Sequence, residues 1–228
     1  MRIWSLTRIG AAAASTLLLV LLAGVASAQA AYDGFYGINA QNLFSLPSSS
    51  WDTHLAAMSA GGLQVVRRDA SWQTAEPTAP VNGQHTYRWS SFDTQVAAYA
   101  RHHLRWLPII DYSTTWSGVT PGVIFSRPAR IQDYTAYATA LARRYGRGGA
   151  FWRAHPDLPQ LPVTKYEIWN EENTDYFWRP QTDGPERYAD LYLATRSALH
   201  AVDPSANVMV GGLTDPMGVF PTAFVQRM

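Results

Sequence analysis

Five times along this chain a short apolar run gives way to a stretch with helical spacing. The runs are "FYGINA" (35–40), "LQVVRRDA" (63–70), "LRWLPIIDY" (104–112), "VTKYEIWNE" (163–171) and "NVMVGGL" (207–213). The helical stretches begin with "SWDTHLAAMSAGG" (50–62), where Ser50 is the expected N-cap and Gly61-Gly62 the stop. Next come "SFDTQVAAYARHH" (91–103), "ARIQDYTAYATALARRYG" (129–146), ended by Gly146, and "PERYADLYLATRSALHAV" (185–202), with Pro185 near its start. "PTAFVQRM" (221–228) opens one more helical pattern. Such alternation implies an α/β fold of parallel strands with helices outside. Loops 112–128 and 147–162 are long; the first leaves the C-terminal end of a strand, where functional loops gather in parallel folds. No low-complexity linker divides 31–228, so one domain is expected.

The first thirty residues read as a signal peptide. Arg2 and Arg8 are a positive start, Gly10 to Val25 an apolar centre, and "ASAQA" (26–30) a cleavage site of small residues. The apolar run is shorter than the ~20 residues that span a bilayer. Secretion is therefore expected, with cleavage after Ala28 or Ala30, which takes the net charge from +1 to −1. The chain has no cysteine, so its stability rests on its core. Charged residues are only 15% of the chain and form no basic cluster, so no nucleic-acid partner is expected. Once the leader is removed, no membrane partner is expected either. His102, His103 and His155 show no metal-ligand spacing and read as surface or structural. Gly148-Gly149 lacks the Lys-Ser/Thr of a phosphate loop, and no serine sits in a nucleophile elbow. No metal or cofactor is expected.

Polar residues collect at the C-terminal ends of the five runs: Asn39, then Arg67-Arg68-Asp69, Asp111-Tyr112, Asn170-Glu171 and Gly211-Gly212. In parallel α/β barrels that is where chemistry sits. A closed (β/α)₈ barrel needs eight such units and about 250 residues. Five units in about 198 residues after the leader imply either an open sheet or the front of a barrel. The helical pattern at the end shows no stop signal, which favours a TIM (β/α)₈ barrel truncated after about five βα units. In such a piece the first and fifth strands would present unpaired edges.

Four segments resemble clan A glycoside hydrolases, the retaining (β/α)₈ enzymes. "YEIWNEEN" (166–173) is similar to the motif ending their fourth strand, and "VRRDASWQTAEP" (66–77) to their second-strand segment. "YRWSSFD" with "HHLRWLPII" resembles the entry to helix two and strand three, and "AVDPSANVMVGGL" (201–213) the approach to strand five. The order agrees across about 35–213, and family 39 (β-xylosidase-like) and family 5 (cellulase-like) are the nearest in flavour. The resemblance implies a secreted glycosidase acting on an oligosaccharide, polysaccharide or glycoside. It makes Glu171 the general acid/base and Asn170 the contact to the sugar 2-hydroxyl. A glycosidic oxygen leaves poorly unless protonated, and a carboxylic acid in a partly dry site can supply that proton, then act as base toward water.

On a regular strand Glu167, Trp169 and Glu171 share one face and Asn170 takes the other. The strand must therefore bulge or end here for Asn170 and Glu171 to reach one sugar. Glu167 would lie lower on the inner face and needs a partner, either Arg67 or Arg68. Arg67 is either that partner or, as the resemblance implies, a site-floor residue holding the nucleophile ionised. Asp69 and Asp111 either bind sugar hydroxyls or cap the loops that follow. Among Trp72, Tyr112, Trp116, Phe177 and Trp178, the favoured sugar platforms are Trp116 and Trp178. Glu76 is expected to fix its loop. Glu172 stands where these families usually place Pro, and is expected to point into solvent.

A retaining glycosidase needs a second carboxylate about 5–5.5 Å from the first. In the clan it comes from the seventh strand. The glutamates here are Glu76, Glu167, Glu171, Glu172 and Glu186, and none follows a sixth or seventh strand. The expectation is thus an N-terminal portion of a retaining glycosidase, inactive by itself. A short carbohydrate-binding protein without catalysis and an unrelated open α/β protein are the alternatives.

Overall fold

The computed structural model describes residues 34–215 and 221–228, so the expected leader at 1–30 lies outside the described residues. The elements run β1 (Gly37–Asn39), α1 (Trp51–Ala60), β2 (Val65–Ser71), α2 (Trp72–Ala75), α3 (Ser90–Arg101), β3 (Arg105–Asp111), α4 (Ile131–Tyr145), α5 (Ala150–Ala154), β4 (Lys165–Ile168), α6 (Gly184–Val202), β5 (Asn207–Val210) and α7 (Thr222–Arg227). The five strands form one sheet in chain order, every pair parallel. The fold is therefore α/β with a parallel sheet, as the alternation implies. No helix among the described residues is long and apolar enough to cross a membrane.

Strand alternation sorts the side chains. Val66, Ala70, Trp106, Ile110, Tyr166, Ile168 and Val208 join the helices in the main core. The opposite face of the sheet carries Arg67, Asp69, Asp111 and Glu167 along with Val65 and Ile109. That face is concave. Lys165 Nζ, at the start of β4, donates to the Gly34 carbonyl before β1 at 3.2 Å. Three strand spacings of about 4.8 Å separate those positions in a flat sheet, farther than a lysine side chain reaches.

Helix α4 shows why the outer layer fits. Tyr134, Tyr137, Ala138, Leu141, Ala142 and Tyr145 recur at helical spacing and are buried. Arg143 and Arg144 occupy its last turn, where the helix dipole favours cations. Four tyrosine hydroxyls then reach backbone carbonyls of four strands. Tyr137 donates to Ala70 O at 2.9 Å, Tyr134 to Ile110 O, Tyr188 to Ile168 O at 2.7 Å and Tyr192 to Val208 O at 3.0 Å. Each hydroxyl finds an acceptor in the core, and each strand is tied to the helix packed behind it.

Some local expectations are corrected. Ser50 does not cap α1; its hydroxyl donates to Pro47 O at 2.8 Å within the preceding turn. Loop 147–162 holds the short helix α5, whose Phe151 and Trp152 are buried. β4 ends at Ile168 rather than 171, and β5 at Val210 rather than 213.

Trp72 ties the second unit to its neighbours. It is fully buried, stacks on Tyr137 at 6.0 Å, meets Trp116 and Tyr134 edge-on, and donates Nε1–H to Glu76 Oε2 at 2.9 Å. Trp72→Ala is expected to destabilise the fold by about 3–5 kcal/mol in urea unfolding. A loss under about 1 kcal/mol would contradict this packing.

Candidate functional site

The site begins with the fork of Arg67. Its Nε and Nη2 donate to the two carboxylate oxygens of Glu167 at 2.7 and 2.5 Å, and Nη2 also reaches Asn170 Oδ1 at 2.9 Å. Gly212 N–H adds a fourth contact, to Glu167 Oε1 at 2.9 Å. Of the two candidate partners for Glu167, the structure selects Arg67. Arg68 points to the helix side, donating to Gln41 O at 3.0 Å and lying over the Phe44 ring.

The end of β4 resolves the parity problem. Trp169 has φ 68° and Glu171 φ 54°, both left-handed. Such residues cost on the order of 1–3 kcal/mol each unless their surroundings hold them. Here Trp169 is buried, its N–H bonded to Ile110 O at 3.0 Å and its indole N–H to Phe177 O at 2.8 Å. Glu171 N–H is bonded to Gly212 O at 2.9 Å. The strand ends, alternation breaks, and Glu167 and Asn170 converge on Arg67 although they lie on opposite faces of a regular strand.

Asn170 is oriented from both sides. Its Oδ1 accepts from Arg67 and its Nδ2 donates to the Tyr112 hydroxyl at 3.2 Å. The Glu171 carboxylate beside it is partly exposed, and among the described residues it has no hydrogen bond or ion pair. Burial first, then Asp111, holds the Tyr112 hydroxyl above its usual range.

Other expected site residues fall differently. Asp111 is fully buried, so it offers no surface to a sugar; the expectation of direct contact is corrected. No donor among the described residues reaches its oxygens. Burial, then the facing Asp69 carboxylate, keeps it well above the usual carboxyl range. A proton on Asp111 turns that facing contact into a hydrogen bond. Asp69 is clamped by the Gln41 amide, which donates to Asp69 Oδ1 and accepts from Asp69 N–H at 3.0 Å.

Trp116 donates its indole N–H to Glu76 O at 3.0 Å and packs on Trp72 and His85, with no direct bond or ring contact to Asn170 or Tyr112. Glu76 does fix its loop, accepting from Trp72 and paired with His85 Nδ1 at 2.8 Å. Trp178 is 1% exposed and wedged edge-on against Trp169 and Tyr188, so the platform expectation for it is corrected. Glu172 is corrected too: it is 0% exposed rather than solvated, and burial pushes it up to about 8.

Two residues were missed. Phe125 and Tyr176, from the loops after β3 and β4, build an aromatic wall with Tyr112 and Phe177. Tyr112 stacks on Phe177 at 5.4 Å, and Phe125 lies 4.9 Å from Tyr112 and 5.1 Å from Tyr176. Tyr176 is 56% exposed, with the Arg179 guanidinium 5.5 Å from its ring centre. The only sequence signal was the crowding of aromatics in "DYFW" (175–178). Among the described residues no group of His, Asp and Glu is placed to hold a metal ion.

No family model matches the chain, and no curated protein matches it. Solved structures do. A GH39 β-xylosidase from Caulobacter crescentus is 20% identical with a TM-score of 0.62, covering 86% of this chain and 44% of its own. The exo-β-1,4-mannosidase Op5Man5 from Opitutaceae bacterium strain TAV5 is 18% identical at a TM-score of 0.52, covering 78% and 31%. The endoglucanase Cel5A from Thermotoga maritima is 15% identical at 0.52, covering 78% and 48%. The chain shares the fold of these proteins and spans less than half the length of each.

Two outcomes are expected. Arg67→Ala strips a buried carboxylate of its partner and should destabilise by about 3–5 kcal/mol, whereas Arg67→Met with Glu167→Leu should recover most of that in urea unfolding. Glu172 holds its proton when folded up to about pH 8 and has released it when unfolded above about 4.5. Stability therefore falls as pH rises through that window, by about 1.4 kcal/mol per unit for this group. Asp111 acts with the same sign. Glu172→Gln should remove the Glu172 share of the slope, measured by thermal unfolding from pH 5 to 8.

Proposed function

We propose that this chain is the first five βα units of a retaining glycoside hydrolase of the clan A type, with Glu171 as general acid/base. The observation that carries the reading is the pairing of an unbonded Glu171 carboxylate with a rigidly oriented Asn170 amide at the ends of parallel strands. With Oδ1 held by Arg67, Asn170 must present its N–H groups to the site. One goes to Tyr112, and the other is available to a sugar 2-hydroxyl oxygen, a contact that strengthens in the transition state. The wall of Tyr112, Phe125, Tyr176 and Phe177 offers ring surface to the apolar C–H face of a pyranose.

The nucleophile lies outside these units. Glu167 is committed to Arg67 and Asp69 to Gln41, while Glu172 and Asp111 are buried. The sheet leaves room for more strands: among the described residues β1 pairs only with β2, and β5 only with β4. Phe35, Tyr36 and Ile38 are exposed along the first edge and Val210 along the other. Further βα units would cover both edges and bring a carboxylate to face Glu171. The reading includes export, with the leader at 1–30 removed, and a carbohydrate substrate.

The test is expression of the whole reading frame through whatever follows residue 228, assayed on aryl β-xylosides, β-glucosides and β-mannosides. Hydrolysis of at least one is expected, and Glu171→Gln should lower kcat/KM by about 10²–10⁴-fold on the poorer leaving groups. Full activity in that variant would overturn the assignment. Sugar binding without turnover would favour the non-catalytic carbohydrate-binding protein.

A further inference from the structure

Glu172 is a buried carboxyl group whose nearest hydroxyl, that of Tyr188, gives its proton to Ile168 O. Its side chain is fully buried, and neither oxygen meets a hydrogen-bond donor among the described residues. It rests against Gly211. A Cβ at that glycine would overlap Glu172 Oε2 and lie 2.9 Å from the Trp169 carbonyl oxygen. The missing side chain of Gly211 is the seat of Glu172.

The seat lies between crossings that join the ends of β4 and β5. On one side Gly211 N–H donates to the Tyr188 hydroxyl at 2.7 Å, while that hydroxyl donates to Ile168 O. On the other, Glu171 N–H is bonded to Gly212 O and Gly212 N–H to Glu167 Oε1, both at 2.9 Å. Gln181 Nε2 holds the Glu172 carbonyl at 2.9 Å. Gly211, on which Glu172 rests, is thus next in the chain to Gly212, whose carbonyl accepts from Glu171 N–H.

We propose that Glu172 is a positioning residue: seated against Gly211, its uncharged side chain fixes the backbone that presents Glu171, and ionisation unseats it. This deepens the reading of Glu171 as proton donor and rests on it for function, although the seat itself can be tested without activity. The titratable groups facing Glu172 are Glu167 and Glu171 from its own segment, Tyr188 from α6 and Tyr134 from α4. None is a cation, and burial opposes a negative charge more than the Glu172 backbone N–H and the Tyr188 hydroxyl favour it. The residues after β5 contribute backbone. A glutamine has the same shape without the charge, so the seat accepts it at any pH.

The chain has five glutamates, so their ¹³C-carboxyl resonances can be assigned by single substitutions to glutamine. In a titration of this chain from pH 3 to 10, the Glu172 resonance is expected to move with a midpoint near 8, the level to which burial pushes it. The Glu171 resonance should show a second inflection at the same pH, and Glu172→Gln should abolish that inflection. A Glu172 midpoint near 4–5, or a Glu171 curve unchanged by Glu172→Gln, would overturn the proposal. Repeating the titration with a xylo-oligosaccharide separates the two readings. If the sugar never perturbs Glu171 while the Glu172-dependent inflection persists, the seat stands independently of the carbohydrate reading, which the whole reading-frame product tests.

Discussion

The candidate site depends on one guanidinium. Arg67 sits on the concave face of the sheet and spends its fork on Glu167 and its remaining reach on Asn170. A buried pair of this kind is weak support for stability, because desolvation offsets most of the attraction. It is strong support for geometry. The charge of Glu167 has to be met, the guanidinium is planar, and its direction decides where Asn170 points. The amide then has only one way round, oxygen to Arg67 and nitrogen to the site.

The left-handed residues at the end of β4 follow from the same constraint. A regular strand cannot bring Glu167 and Asn170 to one cation. Trp169 and Glu171 leave the strand conformation to make that possible, and the buried Trp169 ring and the Gly212 carbonyl hold them there. Glu171, turned out of the strand, follows Asn170 with its carboxylate unbonded among the described residues. Behind it the tyrosines of α4 and α6 fasten four strands to their helices, so the strand ends are fixed from the helix side and the concave side alike.

Much of this was legible in the sequence. The change of period from strand to helix marked all five units, because parallel strands covered by helices write long, separate patterns. The need for a break near Asn170 followed from alternation taken with the resemblance, which asks Asn170 and Glu171 to reach one sugar, and alternation also asked a partner for Glu167. The rest depended on tertiary facts that a one-dimensional pattern does not carry. The burial of Glu172 depends on the side chain that Gly211, thirty-nine positions later, does not have. Asp111 ends a strand as an exposed ligand would, yet it is fully buried facing Asp69. Trp178 and Tyr176 are near neighbours in one loop, one core and the other surface, and composition does not tell which. Short helices such as α5 carry too few residues to show a period.

The most direct measurement is stereochemical. If Glu171 is the acid/base of a retaining pair, with a partner carboxylate about 5–5.5 Å away, the reaction passes through a covalent glycosyl-enzyme intermediate and returns the starting anomer. Proton NMR of the first sugar released from an aryl β-glycoside by the whole reading-frame product should show the β-anomer before mutarotation. Release of the α-anomer would contradict the account, because it requires a water between carboxylates about 6.5–9.5 Å apart and a different partner for Glu171.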